Sequence, residues 1–133
     1  MKQVNINVAA FVLFIILITS CKTEATEIKI SEIKTACQLL DAVEIVLNEI
    51  EQFKRQNTEL YELMYGTQVA VEDNAESQRQ KEFFSTKYDE VKKIKKLKAK
   101  LNELRLKANK SFVPSEFKEC KKFDIVSKRL RKI

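Results

Sequence analysis

The sequence predicts an all-α protein, most simply a mostly antiparallel three-helix bundle with two long helices and one short helix. The chain of 133 residues contains one glycine and one proline, too few for the many tight turns of a sandwich or a barrel. It is rich in Lys, Glu and Leu, which favour helices. Apolar residues recur every three or four positions over most of its length, and this is the spacing of one helix face.

The first helix is expected over about residues 31–65. Ser31 is expected to cap its amino terminus. The apolar stripe of this helix is Ile33, Cys37, Leu40, Val43, Leu47, Ile50, Phe53, Leu60 and Met64. Gly66, the only glycine, follows the helix, where glycine adopts a left-handed conformation at little cost.

Two further helices are expected over about residues 76–109 and 115–132. The second stripe is Phe84, Tyr88, Val91, Ile94, Leu97, Leu101, Leu104 and Ala108. Pro114 forces the preceding residue out of helical conformation, and Ser115 is expected to cap the third helix. The third stripe is Phe117, Cys120, Phe123, Val126, Leu130 and Ile133. Three amphipathic helices must bury their stripes against one another, so residues 31–133 are expected to form one helical domain.

The amino terminus has the features of a signal peptide. Lys2 gives a short positive region, and residues 8–18 form an unbroken apolar run of eleven residues. This run is shorter than the ~20 residues of a membrane-spanning helix and suits the core of a signal peptide. It ends in Ile18, Thr19, Ser20 and Cys21, an aliphatic residue and two small residues before a cysteine.

This pattern resembles the lipobox of bacterial lipoprotein precursors. The resemblance implies that residues 1–20 are removed as a signal peptide, that the sulfur of Cys21 receives diacylglycerol and that the new amine is acylated. The alternatives are a plain secretory signal with a chance cysteine, or a short uncleaved anchor. Residues 21–30 are expected to comprise the lipidated cysteine and a polar tether that lifts the domain off the membrane.

The Lys, Ile, Asn and Glu bias of the remaining chain is similar to that of the small all-helical outer-surface lipoproteins of spirochaetes. Such proteins commonly bind host extracellular-matrix or serum components. The resemblance therefore implies host partners and a place at the outer membrane and cell surface.

Cys37 and Cys120 remain once Cys21 is assigned to lipid. In an up-down-up bundle, helices one and three both rise from the membrane-near end. Cys37 then lies about 9 Å beyond Ser31, and Cys120 about 7.5 Å beyond Ser115, each on an inward stripe. Since disulfides persist outside the cytoplasm, a Cys37–Cys120 disulfide is predicted. The alternative is two buried free thiols that act as small apolar side chains.

The net charge of +6 hides an asymmetry along the chain. Residues 22–90 carry eight basic and fifteen acidic side chains, whereas residues 91–133 carry sixteen basic and four acidic ones. In an antiparallel pair, acidic side chains of helix one are expected to face basic ones of helix two and so fix the pairing. The expected pairs are Asp41 with Lys100, Glu44 with Lys96, Glu49 with Lys93 and Glu51 with Lys92.

Six lysines lie within residues 91–100: Lys92, Lys93, Lys95, Lys96, Lys98 and Lys100. Residues 91–96 are similar to a short heparin-binding consensus of paired and spaced basic residues. One interpretation is a surface for a polyanion, namely a sulfated glycosaminoglycan, anionic headgroups or an acidic protein patch. The other is a solvated helix face. Tyr61 and Tyr65, beside the corner at Gly66 and at the membrane-distal tip, are a second hypothetical partner contact.

Neither enzymatic activity nor a cofactor or metal site is expected. The chain has no histidine, which excludes a Ser-His-Asp or Cys-His pair and an imidazole metal site. Acidic pairs such as Glu49 and Glu51 do not face each other on a helix. The sequence predicts instead a lipid-anchored interaction module of the bacterial cell surface, with no nucleic-acid partner. The alternative is a periplasmic structural or accessory lipoprotein, such as a secretion, phage-lysis or exclusion component.

Overall fold

The computed structural model describes residues 23–66 and 74–133. These ranges contain six α-helices and two short 3-10 helices, and no strand. The α-helices are α1 (Ala36–Gln56), α2 (Thr58–Tyr65), α3 (Asn74–Thr86), α4 (Tyr88–Ser111), α5 (Pro114–Lys118) and α6 (Phe123–Leu130). The predicted all-α class is confirmed. Residues 1–22, which include the expected signal peptide and Cys21, lie outside the described residues.

The first long helix begins at Ala36, so the predicted start at Ser31 is wrong. Thr35 caps α1, because its Oγ1 accepts a hydrogen bond of 3.1 Å from the N–H of Gln38. The Gln38 side chain reciprocates, and its Oε1 lies 3.2 Å from the backbone nitrogen of Thr35. This capping box satisfies two amide groups that a helix start leaves unpaired. Ser31 lies instead in a 3-10 helix, Ile30–Glu32.

Residues 23–30 belong to the folded domain, and the expected tether over 21–30 is wrong for this part. Ala25 lies in the 3-10 helix Ala25–Glu27 and is fully buried. Its N–H donates a 2.7 Å hydrogen bond to Oε1 of Glu49 on α1. The carbonyl of Ile28 accepts a 3.1 Å bond from Nζ of Lys100 on α4. The segment therefore packs between the two long helices.

The chain enters the domain at the end of α1 that is remote from Cys37. Ala25 lies beside Glu49, late in α1, and the following residues lead back to the start of α1 at Ala36. Residues 23–35 thus run antiparallel to α1. This places the disulfide end of the bundle opposite the point of chain entrance, the reverse of the predicted arrangement.

The predicted single helix over 31–65 is two helices. Asn57, with φ −133° and ψ 50°, is not helical and separates α1 from α2. Nζ of Lys98 on α4 lies 4.5 Å from the ring centre of Tyr65. A straight continuation of α1 would carry Tyr65 away from Lys98, so α2 turns back along the bundle. Tyr61 is 5% exposed, and the predicted pair of tyrosines at a free tip is wrong.

Gly66 is extended, with φ −72° and ψ 171°, rather than left-handed as predicted. Its role is steric. An ideal Cβ at this position would lie 2.5 Å from the carbonyl oxygen of Glu62, closer than van der Waals contact permits. Glycine therefore allows the close approach that ends α2, where its N–H donates to the same carbonyl at 2.8 Å.

The second and third predicted helices are each divided as well. Lys87, with φ −107° and ψ 26°, separates α3 from α4. In the third, α5 begins at Pro114, so Ser115 lies inside the helix instead of capping it. Glu116 caps the amino end of α5, because its Oε2 accepts a 2.7 Å hydrogen bond from the backbone N–H of Val113.

The long helices and the carboxy-terminal helices form an up-down-up bundle. Ion pairs join α1 to the carboxy-terminal helices in the order Asp41 with Lys122 and Glu51 with Arg129, so α6 runs parallel to α1. The helix α4 runs antiparallel to α1. The largest fully buried side chains of the common core are Leu47, Ile50, Leu60, Ile94, Leu97, Leu104, Val46 and Val126.

Candidate functional site: the lysine-rich helix α4

The predicted cysteine pair is joined in the structure. The sulfurs of Cys37 and Cys120 are 2.03 Å apart and their Cα atoms 5.4 Å apart. Cys120 is buried, as its stripe predicts, whereas Cys37 is exposed at the first turn of α1, so its assignment to the inward stripe is wrong. The bond fastens α5 and α6 to the start of α1 and thereby brings their cations to the acidic face of α1.

Lys122, just before α6, forms ion pairs with two acidic side chains of α1. Its Nζ lies 2.6 Å from Oε2 of Glu44 and 3.2 Å from Oδ1 of Asp41. The hydrogen bonds that this ammonium group donates to Glu44, and then to Asp41, raise the pKa of Lys122 above its ordinary value. These two carboxylates therefore do not face Lys96 and Lys100, as the sequence had predicted.

Arg129 on α6 binds a third acidic side chain of α1, that of Glu51. Its guanidinium makes two hydrogen bonds to the Glu51 carboxylate, of 3.0 Å and 2.9 Å, and a third of 2.7 Å to Oδ1 of Asn48. Glu49, the fourth predicted partner of α4, accepts the N–H of Ala25. The expected matching of Asp41, Glu44 and Glu51 to α4 lysines is thus replaced by matching to Lys122 and Arg129. Glu49 lines the same groove as its predicted partner Lys93 but forms no ion pair with it.

Two of the six lysines within residues 91–100 of α4 stabilise the fold. Nζ of Lys98 lies over the rings of Tyr61 and Tyr65, at 5.4 and 4.5 Å from their centres, in cation–π contact. Burial is the main cause that raises the pKa of the Tyr65 hydroxyl, and the electrostatic effect of the neighbouring Tyr61 is the second. Lys100 is 18% exposed and binds the Ile28 carbonyl, with Glu103 at 3.9 Å.

The other four lysines are directed to solvent. The exposed residues are Lys92, Lys93, Lys95 and Lys96. In the described part of the chain, none of these four ammonium groups forms an ion pair. They form no ion pair with α1, because Asp41, Glu44 and Glu51 of that helix bind Lys122 and Arg129 instead.

A shallow groove of about 360 Å³ runs along the side of α4 that faces away from the core. We call its lining the outer face of α4, and it consists of Tyr88, Val91, Lys92, Lys95, Lys96 and Ala99. Three of these residues are lysines and three have apolar side chains or rings, and the lining contains no carboxylate. Tyr88 is 64% exposed, so its predicted place on the core stripe is wrong.

A second, wider groove lies between α1, α4 and the amino-terminal segment and has a volume of about 870 Å³. Lys92, Lys93 and Lys96 line one wall. Three carboxylates and several amides line the rest, together with an apolar floor: Thr23, Glu24, Thr26, Ile45, Asn48, Glu49, Gln52, Phe53, Gln56 and Asp89. Unlike the outer face, this groove is of mixed charge, and we call it the mixed groove.

The described residues give no arrangement for metal binding, since no group of three or more Cys, Asp or Glu side chains within them could hold an ion. Over the same ranges no helix has the length and apolar character needed to cross a membrane. Residues Ile18–Cys21, which resemble a lipobox, lie outside these ranges. Comparison with protein-family models, curated proteins and solved structures finds no match to this chain.

Proposed function

We propose that this protein is a lipid-anchored interaction module of the bacterial envelope that binds a polyanion through the lysines of α4. The observation that carries the proposal is the concentration of four exposed lysines, none of them in an ion pair among the described residues, within five consecutive positions of α4. A cluster of like charge on one helix raises the local concentration of counter-ions, and it attracts polyanions at a rate that falls with salt.

The lipid anchor rests on the sequence pattern that ends at Cys21. Thr23, two residues later, is exposed at the surface of the domain, and this exposure is compatible with a lipid anchor at Cys21. More than one acyl chain gives stable membrane attachment. Mass spectrometry of the amino-terminal peptide tests this directly: a mature chain that begins at an acylated Cys21 supports the anchor, and an unmodified Cys21 contradicts it.

A heparin column tests the lysine surface. The triple variant Lys92→Gln, Lys95→Gln and Lys96→Gln removes three charges from the outer face of α4. A matched control removes three exposed lysines elsewhere, Lys118→Gln, Lys121→Gln and Lys128→Gln. Wild type and control are expected to elute at similar, higher salt, and the α4 variant at clearly lower salt.

Equal elution of the two variants would contradict a localised surface, because net charge alone would then explain retention. Treatment of intact cells with added protease tests the outward orientation of the module. Digestion of the protein on intact cells is expected for a cell-surface module, whereas protection would favour a periplasmic location.

A further inference from the structure

The place where the chain enters the domain is close to the lysines of α4. Thr23 lines the mixed groove together with Lys92, Lys93 and Lys96, and the hydrogen bond from Ala25 to Glu49 fixes the segment there. Two residues of chain span at most about 7 Å. A lipid on Cys21 therefore holds the bilayer surface within that distance of Thr23.

The outer face of α4 has the character of a helix that lies on a membrane. Its lysines line the same groove as Tyr88, which is 64% exposed. Leu106 is 50% exposed and, at eighteen residues from Tyr88, five whole turns further on, lies on the same side of α4. Tyrosine rings prefer the headgroup region of a bilayer, and basic helices with apolar residues on one face bind anionic lipid surfaces.

We propose that the polyanion bound by α4 is the anionic phospholipid surface in which the lipid of Cys21 is inserted. This inference rests on the proposed function, because it requires both the lipid at Cys21 and the lysine surface. The outer face of α4 lies on the headgroups, with Lys92, Lys95 and Lys96 at lipid phosphates and Tyr88 at the interface. The anchored domain therefore lies in contact with the membrane surface and is not separated from it by a tether.

The charges around the site favour the outer face over the mixed groove as the membrane contact. Glu24, Glu49 and Asp89 line the mixed groove and would repel lipid phosphates. The outer face contains no carboxylate, and Glu103, the next acidic residue along α4, lies 3.9 Å from the ammonium of Lys100. A sulfated glycan would use the lysines but would leave the exposed Tyr88 and Leu106 without a partner.

A single tryptophan can report the docking, because the chain contains none. Tyr88→Trp places the reporter on the outer face of α4, and Ile125→Trp, at a position that is 60% exposed on α6, is the matched control. The processed, lipidated protein is reconstituted into phosphatidylcholine vesicles with or without phosphatidylglycerol. Quenching by headgroup-proximal spin-labelled lipid then measures contact with the bilayer.

The Tyr88→Trp protein is expected to be strongly quenched in vesicles with phosphatidylglycerol and weakly in phosphatidylcholine alone. The Ile125→Trp protein is expected to be weakly quenched in both. A lysine near an anionic surface changes the bound-to-free ratio by about fivefold. Replacing Lys92, Lys95 and Lys96 by Gln is therefore expected to lower the docked-to-undocked ratio roughly a hundredfold.

Three outcomes overturn the inference. Equal quenching with and without phosphatidylglycerol removes the role of lipid charge. Absence of quenching at position 88, with retention on heparin through the same lysines, overturns membrane docking and leaves the proposed polyanion surface in place. Loss of both vesicle docking and lysine-dependent heparin retention overturns the inference and the proposed function together.

Discussion

Removal of the Cys37–Cys120 disulfide is expected to lower the free energy of unfolding by roughly 4–5 kcal/mol. The two cysteines are 83 residues apart in sequence, and closing a loop of that length removes much of the conformational entropy of the unfolded chain. The variant is Cys37→Ser with Cys120→Ala. Serine is chosen at position 37 because Cys37 is exposed. Alanine is chosen at position 120 because Cys120 is only 7% exposed, and alanine buries no polar group there.

Urea denaturation of the processed chain, followed by circular dichroism, measures this loss by linear extrapolation. The wild type in reductant is the control, because it loses the bond and keeps both sulfur atoms. It is expected to resemble the double variant to within about 1 kcal/mol. A loss below about 1 kcal/mol in both samples would refute the argument from loop length. Two free thiols in the unreduced wild type would refute the bond itself.

Three further changes test the packing and the charge pairs. Leu97→Ala, at a fully buried position, is expected to lower the free energy of unfolding by about 2–5 kcal/mol. The control Leu106→Ala is expected to lower it by about 0.5 kcal/mol or less. Urea denaturation measures both changes. Arg129→Ala is expected to cost about 1–2 kcal/mol, because it removes a two-point contact that is only partly screened by water. The pKa of Lys122 is raised in the folded protein, so its ion pairs stabilise the fold fully at pH values below the ordinary lysine pKa. This stabilisation is lost as the pH rises through the raised pKa of Lys122. An NMR titration is expected to show that Glu44→Gln lowers the Lys122 pKa, and no change would contradict the hydrogen bond as its cause.

The fold class and the cysteine pairing followed from local sequence patterns. The apolar stripes have the helical period, so Leu97, Leu101 and Leu104 could be assigned to one buried face in advance. The level of Cys37 relative to Cys120 depended on helix rise and on the up-down-up order. The two starts from which these levels were measured, Ser31 and Ser115, are wrong, because α1 begins at Ala36 and α5 at Pro114. The pairing was nevertheless predicted correctly, because only two cysteines remained and the up-down-up order places the third helix parallel to the first.

The helix breaks had no comparable signal. Asn57 and Lys87 are not glycine or proline, and each is compatible with a helix by propensity alone. The break at Asn57 allows Tyr61 and Leu60 to be buried against the bundle, so tertiary packing overrides the local preference. Tyr88 was likewise assigned to the core by its spacing, but it is the first residue of α4 and lies outward.

The partners of the α1 acids could not be chosen from sequence either. Both α4 and the carboxy-terminal helices offer several cations, and only the parallel packing of α6 beside α1 brings Lys122 and Arg129 to these carboxylates. The docking of residues 23–33 was missed for a related reason. Ala25 is small and isolated among polar residues, so its complete burial has no periodic signal.

The salt dependence of heparin binding reports how many cations of α4 contact the polyanion. The logarithm of the heparin association constant is measured against the logarithm of salt concentration for wild type and for the Lys92→Gln, Lys95→Gln, Lys96→Gln variant. Each cation in contact with a nucleic-acid polyanion contributes roughly 0.7–0.9 to such a slope through counter-ion release. The variant is therefore expected to lose roughly two units of slope, with no loss in the Lys118→Gln, Lys121→Gln, Lys128→Gln control. Equal slopes for wild type and the α4 variant would contradict the account.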